Sequence, residues 1–339
     1  MLFTNLEDHG GNFRDALDYE FSQADSVMIA SGYCSLTILE TFRANFISIA
    51  KNGGSAKLLL GMAFYEGLSK KQIALATELD EELRGLSNLS GVYVARGRRY
   101  HGKIYKFANR QKTSLYVGSS NFSCSGTKKY IECTLPVISD EQKVAVFDFM
   151  DELYSEKFSV GIHKVDLTVK GKVKPFTNNF DKSWKAVGHH QRDDLDLNQL
   201  PKFDYCLKRI VEKERSNLNI YFGKGRVNKS SGKVSPRPWY EIELIATKDL
   251  RTNHNYPTGH FRAFTDDGLI IPMQTNGDGY KNIRSTGSLQ VFGKWLKGKL
   301  QKSGALEIHQ PVTLDTLKEY GNDKITFYKI NEQDYYIKF

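Results

Sequence analysis

The chain has 339 residues, 40% of them apolar, with 48 Lys and Arg against 39 Asp and Glu. This length exceeds what a single core usually serves, so two domains of about 150 residues each are expected. The formal charge of +9 suits a polyanionic partner. The four cysteines, Cys34, Cys124, Cys133 and Cys206, form no C-x-x-C pair, which excludes the common zinc-site spacings. They read as reduced packing residues. The opening MLFTNLEDHGGNFRDA lacks a secretory signal, and no run is long enough to span a bilayer. A soluble cytoplasmic protein without a membrane partner is expected.

The first half alternates short β-rich runs with helical ones, the pattern of an α/β domain. DSVMIASGY, AKLLLGMA, GVYVAR, GKIYKF, SLYVG and YIECTLPV read as strands. Between them Leu36, Leu39, Phe42, Phe46 and Ile49 recur at helical spacing, as do Ile73, Ala76, Leu79 and Leu83. A third helix is predicted to start at Ser139, capped by its hydroxyl with Gln142 reaching back, and to bury Val146, Phe149, Met150 and Leu153. The periodic pattern fades after about Val165.

A polar stretch from Lys170 to Pro201 without sustained period marks a linker, which divides the chain into residues 1–170, 171–201 and 202–339. The last part reads as mainly β. In WYEIELIA, Tyr240, Ile242 and Leu244 alternate on one face; TDDGLIIPM carries a tight turn at Asp267 and Gly268; KITFYKINEQDYYIKF is a predicted hairpin. One helix, roughly Leu289 to Leu300, interrupts them. No internal repeat is present.

The chemistry concentrates in YHGKIYKFANRQKTSLYVGSSNFSCSG, Tyr100 to Gly126. In a strand, residues two apart share a face, so His101 and Lys103 project together, and Ser119 and Asn121 do likewise beyond the next strand. An imidazole nucleophile, an ammonium and hydroxyl and amide donors suit a phosphodiester. Glu132 is placed to accept the other imidazole N–H and fix its tautomer. H-x-K or G-S-x-N alone is a common accident; together, in this order, they define a phosphodiester site. Other candidates fail. GKGRVNKSSGKVS lacks the spacing of a phosphate-binding P-loop, His189 and His190 are adjacent and diverge, and the carboxylates of DEQK at Asp140–Lys143 fit a helix start.

The combination HGKIYKF, GSSNFS and YIE resembles the HKD motif of the phospholipase D superfamily in the form of its bacterial nucleases. The resemblance implies His101 as nucleophile, Lys103 as phosphate ligand, Ser119 and Asn121 as supporting donors and Glu132 as orienting acid. The motif's aspartate falls at Ala108, so that role is absent or passes to Glu132. The superfamily's mechanism uses two histidines, one attacking phosphorus and one protonating the leaving oxygen. One motif per chain therefore implies a homodimer with a composite site, and no metal.

In the second half, FGKGRVNKSSGKVSPRPW supplies Lys224, Arg226, Asn228, Lys229, Lys233, Arg237 and Trp239 with no acidic residue among them. QTNGDGYKNIRSTGS supplies Gln274, Asn276, Lys281, Asn282 and Arg284. Such loops can hold phosphates and send side chains to base edges. The order of these segments is similar to the C-terminal domains of restriction endonucleases of the BfiI and NgoFVII group, whose plant B-three-like pseudobarrel grips DNA with two arms. The resemblance implies an α/β phospholipase D-like N-terminal domain with a mixed sheet flanked by helices, followed by a mainly-β pseudobarrel. It also implies a sequence-specific, metal-independent restriction endonuclease that cuts double-stranded DNA through a phosphohistidine, leaving 5′-phosphate and 3′-hydroxyl ends. Implied partners are a DNA methyltransferase and, in some relatives, a separate ATP-dependent translocase subunit, the only route by which ATP enters. The alternatives are a nonspecific nuclease or phospholipase of the same superfamily, and a DNA-binding regulator with an inactive, dimerising hydrolase-like domain.

Overall fold

A computed structural model describes residues 2–170, 188–189, 195–211 and 217–339. They fall into two compact units: Met1–Gly171 with Lys224–Pro236, and Lys172–Gly223 with Arg237–Phe339. Most of the expected linker, residues 171–201, lies outside the described residues. No described helix is long and apolar enough to cross a membrane.

The first unit is built on a mixed sheet. In chain order it contains α1 (Phe13–Gln23), β1 (Ser26–Ser31), α2 (Leu36–Lys51), β2 (Ala56–Leu60), α3 (Ala63–Glu66), α4 (Lys70–Leu86), β3 (Gly91–Ala95), β4 (Lys103–Ala108), β5 (Thr113–Gly118), β6 (Thr134–Pro136), α5 (Asp140–Leu153) and β7 (Ser159–Gly161). The strands lie in the order β6-β5-β4-β1-β2-β3-β7. β1, β2 and β3 run parallel, and the outer pairs are antiparallel.

Alternation along β4 divides the core between the two faces of this sheet. Tyr105 and Phe107 point to one face, where they meet Phe13 and Phe21 of α1, and Phe21 stacks on Phe42 of α2. Ile104 points to the other and packs with Leu115 of β5 and Met150 of α5. Helix α5 starts where predicted, after Ser139, but the serine makes no side-chain cap bond. Met150 and Leu153 are buried as expected, whereas Phe149 is 48% exposed. Helix α1 has no counterpart in the sequence reading. Asn12 caps it, accepting from the Arg14 N–H, and Phe13, Leu17, Glu20 and Phe21 are buried along it.

The second unit is a curled, mostly β sheet. It contributes β8 (Gly188–His189), β9 (Lys202–Cys206) and α6 (Lys208–Val211) before the short hairpin β10 (Arg226–Val227) and β11 (Val234–Ser235), which belongs to the first unit. It then continues through β12 (Leu244–Ile245), α7 (Lys248–Arg251), β13 (His260–Thr265), β14 (Leu269–Asn276), β15 (Asn282–Ser285), α8 (Val291–Lys302), α9 (Leu314–Tyr320), β16 (Lys324–Lys329) and β17 (Asp334–Lys338). The strand order is β12-β15-β14-β13-β17-β16-β9, with β8 added on β14. The turn at Asp267–Gly268, the α8 helix and the terminal hairpin stand where the sequence places them. The predicted WYEIELIA strand is paired only at Leu244 and Ile245; before them Tyr240, Glu241 and Ile242 are buried and the Glu241 N–H donates to the Pro238 carbonyl at 3.0 Å, a turn rather than a ladder bond.

Candidate active site and nucleic-acid surface

The polar cluster of the first unit forms at the carboxyl end of its parallel strands, the end at which open α/β sheets bind ligands. β1 ends at Ser31, paired with Lys103, and the Gly32 N–H donates to the Gly102 carbonyl at 3.1 Å. A side chain at Gly32 would press on His101, since a Cβ there lies 3.1 Å from its Cα and 3.3 Å from the ring. Glycine at this position therefore lets β1 and the His101 segment approach.

His101 is exposed and Lys103 is buried. As the two-residue spacing predicts, they meet: Lys103 Nζ lies 3.1 Å from His101 Nδ1 and donates to the His101 carbonyl at 2.6 Å. Desolvation first, and the Lys103 charge second, hold the imidazole pKa below its ordinary value, against an upward pull from Glu66. Desolvation also lowers the Lys103 pKa, opposed by Glu132. The imidazole is thus biased to its neutral form, the form that can act as a nucleophile.

The remaining members join this pair through short links. Ser119 Oγ donates to Glu132 Oε2 and accepts the Cys133 N–H at 2.8 Å. Asn121 Oδ1 accepts the Tyr33 N–H at 3.1 Å, and the Tyr33 ring stands edge-on to His101 with centroids 5.5 Å apart. The Tyr33 hydroxyl in turn donates to Glu66 at 3.1 Å. All five expected residues are therefore brought to one end of the sheet, with Tyr33 and Glu66 added. The expected bond from the imidazole to Glu132 is not formed among the described residues. Lys103 stands at Nδ1 instead, and the Glu132 carboxylate bonds Ser119. The reason is local: β6 begins only at Thr134, so Glu132 lies in a loop rather than on the strand that YIECTLPV suggests. Ala108 ends β4 at its far end from Lys103, about 17 Å away at the rise of an extended strand. An aspartate there would not reach this cluster.

The second unit presents a separate polar surface on β14 and β15. Gln274 pairs with Arg284 and Asn276 with Asn282, so the four side chains share one face. The sequence reads this stretch as a loop; it is a strand, a short turn and a strand. With its amide oriented to satisfy donors and acceptors, Gln274 takes a bond from Arg284 Nε at 3.1 Å, and Asn276 accepts from the same group. Arg284 also bonds Glu243 at 3.3 Å. The turn carrying Lys281 is held by Arg251, whose guanidinium donates to the carbonyls of Asp278 and Gly279 at 3.3 and 3.1 Å. Gly279 has a φ of +59°, and a Cβ there would collide with Arg251 at 2.2 Å.

The other group of expected DNA contacts divides. Lys224, Arg226, Asn228, Lys229 and Lys233 are exposed on or beside the β10–β11 hairpin, where Asn228 Oδ1 accepts from the Ser230 N–H and hydroxyl and shapes the turn. Arg237 instead forms a two-pronged ion pair with Glu241, at 2.6 and 2.8 Å. Trp239 is 3% exposed and packs against Tyr221, Phe222 and the ammonium of Lys297. Trp239 is a core residue, a correction to its expected place on the binding surface. In sequence it is an aromatic beside a basic run; in the fold the exposed part of that run ends at Lys233.

Residues 12–167 match the family model of the NgoFVII restriction endonuclease N-terminal PLD domain, and residues 196–331 match that of the NgoFVII C-terminal B3-like DNA-binding domain. Solved structures with similarity include NucT from Helicobacter pylori, at 18% identity and a TM-score of 0.35 over 48% of this chain and 97% of that one. A phospholipase D family member, Nuc, from Salmonella typhimurium gives 14% and 0.32 over 45% and 91%. Polyphosphate kinase from Porphyromonas gingivalis gives 11% and 0.31 over 51% of this chain and 25% of that chain. No curated protein matches the chain. A phospholipase D-like domain with a clustered histidine and lysine, followed by a B3-like DNA-binding domain, defines a site-specific deoxyribonuclease. The chain belongs to the NgoFVII family of restriction endonucleases.

Proposed function

We propose that two copies of this chain cut double-stranded DNA at one shared, metal-independent site. The observation that carries this is the contact between His101 and Lys103 in a chain with a single such motif. A ring nitrogen of neutral His101 in one subunit attacks phosphorus, forming a P–N bond as the P–O bond to the leaving strand breaks. His101 of the other subunit gives its proton to the departing oxygen. That imidazole then takes a proton from water, whose oxygen attacks the phosphohistidine and releases a 5′-phosphate. Lys103, Ser119 and Asn121 neutralise and orient the nonbridging oxygens. A protein cation and a covalent intermediate serve where other nucleases use a Lewis acid, so no cofactor is needed for the chemistry.

Specificity belongs to the second unit, because phosphate contacts at the catalytic cluster carry no sequence information. Gln274, Asn276, Asn282 and Arg284 are the side chains whose amides and guanidinium suit base edges, with Lys281 beside them. A methyltransferase that protects the same site is the functional counterpart, and any ATP requirement resides in a separate translocase subunit. The test is digestion of a long DNA in excess EDTA. Discrete bands from the wild type, with none from His101→Ala that still binds the site, are expected. Cleavage by His101→Ala, or cleavage restored only by magnesium, overturns the mechanism.

A further inference from the structure

At the β7 edge of the first unit lies a cavity of about 410 Å³ whose lining includes Arg84, Arg96, His163 and Lys164. Asp80, 1% exposed, organises it. One carboxylate oxygen accepts the Val92 N–H at 2.8 Å; the other accepts Arg84 Nε at 2.8 Å and lies 3.0 Å from His163 Nδ1. Taken alone, this network is structural, tying α4 to β3 and to the segment after β7. Its surplus, however, is cationic. Arg84 and His163 each give Asp80 one nitrogen, and Arg84, Arg96 and Lys164 bring three cations to the lining against the single open carboxylate of Glu156.

Two features connect this cavity with the nucleic acid. Gly232 and Val234 of the β10–β11 hairpin form part of its wall, and that hairpin is fastened to the first unit by the Asp166 N–H, which donates to the Val234 carbonyl at 3.0 Å. Lys229 and Lys233 are exposed on the same hairpin. Arg96 follows β3 directly, and the five residues from it to His101 span at most about 18 Å of chain. A duplex held at His101 carries a charge every ~1.7 Å of its axis, so it has phosphates within reach of the cavity whenever it extends that way.

We propose that this cavity and the hairpin that walls it are a second phosphate station, holding the DNA backbone several nucleotides from the cut. The inference rests on the nuclease reading and assigns the hairpin to backbone grip rather than base reading. Arg84 and His163 are held ready by Asp80, so little ordering is needed when a phosphate arrives.

The test uses the full chain and a nonspecific duplex, with binding measured across salt concentration and the His163 imidazole signal followed by NMR. In Arg96→Ala/Lys164→Ala the slope of log affinity against log salt is expected to fall by about 2, near 0.9 for each lost phosphate contact. The ratio of specific to nonspecific affinity should be kept, and Lys70→Ala/Lys71→Ala, on the exposed start of α4, should leave the slope unchanged. The His163 signal should move with duplex. An unchanged slope in the first variant, an equal fall in the control pair, or a His163 signal that ignores DNA overturns the proposal. A His163 signal that answers inorganic phosphate or a nucleoside monophosphate at lower concentration than duplex also overturns it, in favour of a small phosphate ligand. Cleavage is not read, so failure here is separate from failure of the His101 mechanism.

Discussion

In the proposed mechanism His101 attacks with the lone pair of a neutral ring nitrogen, so its protonation state governs the reaction. Burial and the neighbouring Lys103 both lower its pKa. Lys103→Met removes the second of these causes, and NMR titration should show the imidazole pKa moving up; an unchanged or lower value would contradict the role given to the lysine charge. A second ionisable group lies outside this chemistry. Lys297 is fully buried on α8, donates to the Trp239 carbonyl at 2.6 Å, and burial lowers its pKa to about 7. In the unfolded chain the value is about 10.4. Between these two values the unfolded state binds more protons, so stability should rise with pH by up to ~1.4 kcal/mol per unit. Below pH 7 both states carry the proton and the penalty is full. Chemical denaturation at several pH values should show that slope, and Lys297→Met should flatten it. At this scale the sequence was informative where partners are two residues apart, as with His101 and Lys103. It was silent on Tyr33, whose N–H meets Asn121 across 88 positions.

Regular elements were legible where one face is buried and the other is wet. Helices α2 and α4 show that contrast; strands β1 to β4, buried at most positions of both faces, are legible instead as short β-rich apolar runs. Helix α1 escaped because Phe13, Leu17, Glu20 and Phe21 place a buried carboxylate in its apolar face, where Glu20 accepts from the Tyr116 hydroxyl at 2.7 Å. The polar segments of the second unit read as loops for a related reason. Gln274, Asn276, Asn282 and Arg284 give β14 and β15 a hydrophilic face without turn chemistry, while Met273 and Ile283 bury the other. This separates two arginines that look alike in sequence. Arg284 faces the polar surface, so Arg284→Ala should lower the preference for target over nonspecific DNA with little loss of fold. Arg237 is bound to Glu241, which is 3% exposed in its side chain. Arg237→Ala should therefore destabilise the second unit by roughly 3 kcal/mol. Thermal unfolding and competition binding on the two variants check this division; a selectivity loss from Arg237→Ala at full stability would contradict it.

At the scale of the molecule, cutting and choosing are assigned to different units. The composition hinted at a polyanionic partner, and the lone motif at a half-site, but neither could say which surfaces face the DNA. The structure clusters His101, Lys103, Ser119, Asn121 and Glu132 on one unit and sets Gln274, Asn276, Asn282 and Arg284 on one face of the other. In the proposed mechanism each is incomplete as an endonuclease: the cluster on the first has one imidazole, His101, where the reaction would use two, and the second is given no reacting group. The account therefore stands on pairing between identical chains. It is tested most directly by cleavage with purified heterodimers of one wild-type subunit and one His101→Ala subunit, separated by distinct tags. A composite site predicts that these heterodimers fail to cut, since every phosphorus they hold lacks either its nucleophile or its proton donor. Heterodimers with half the activity of the wild type would show that each chain carries a complete site, and would contradict it.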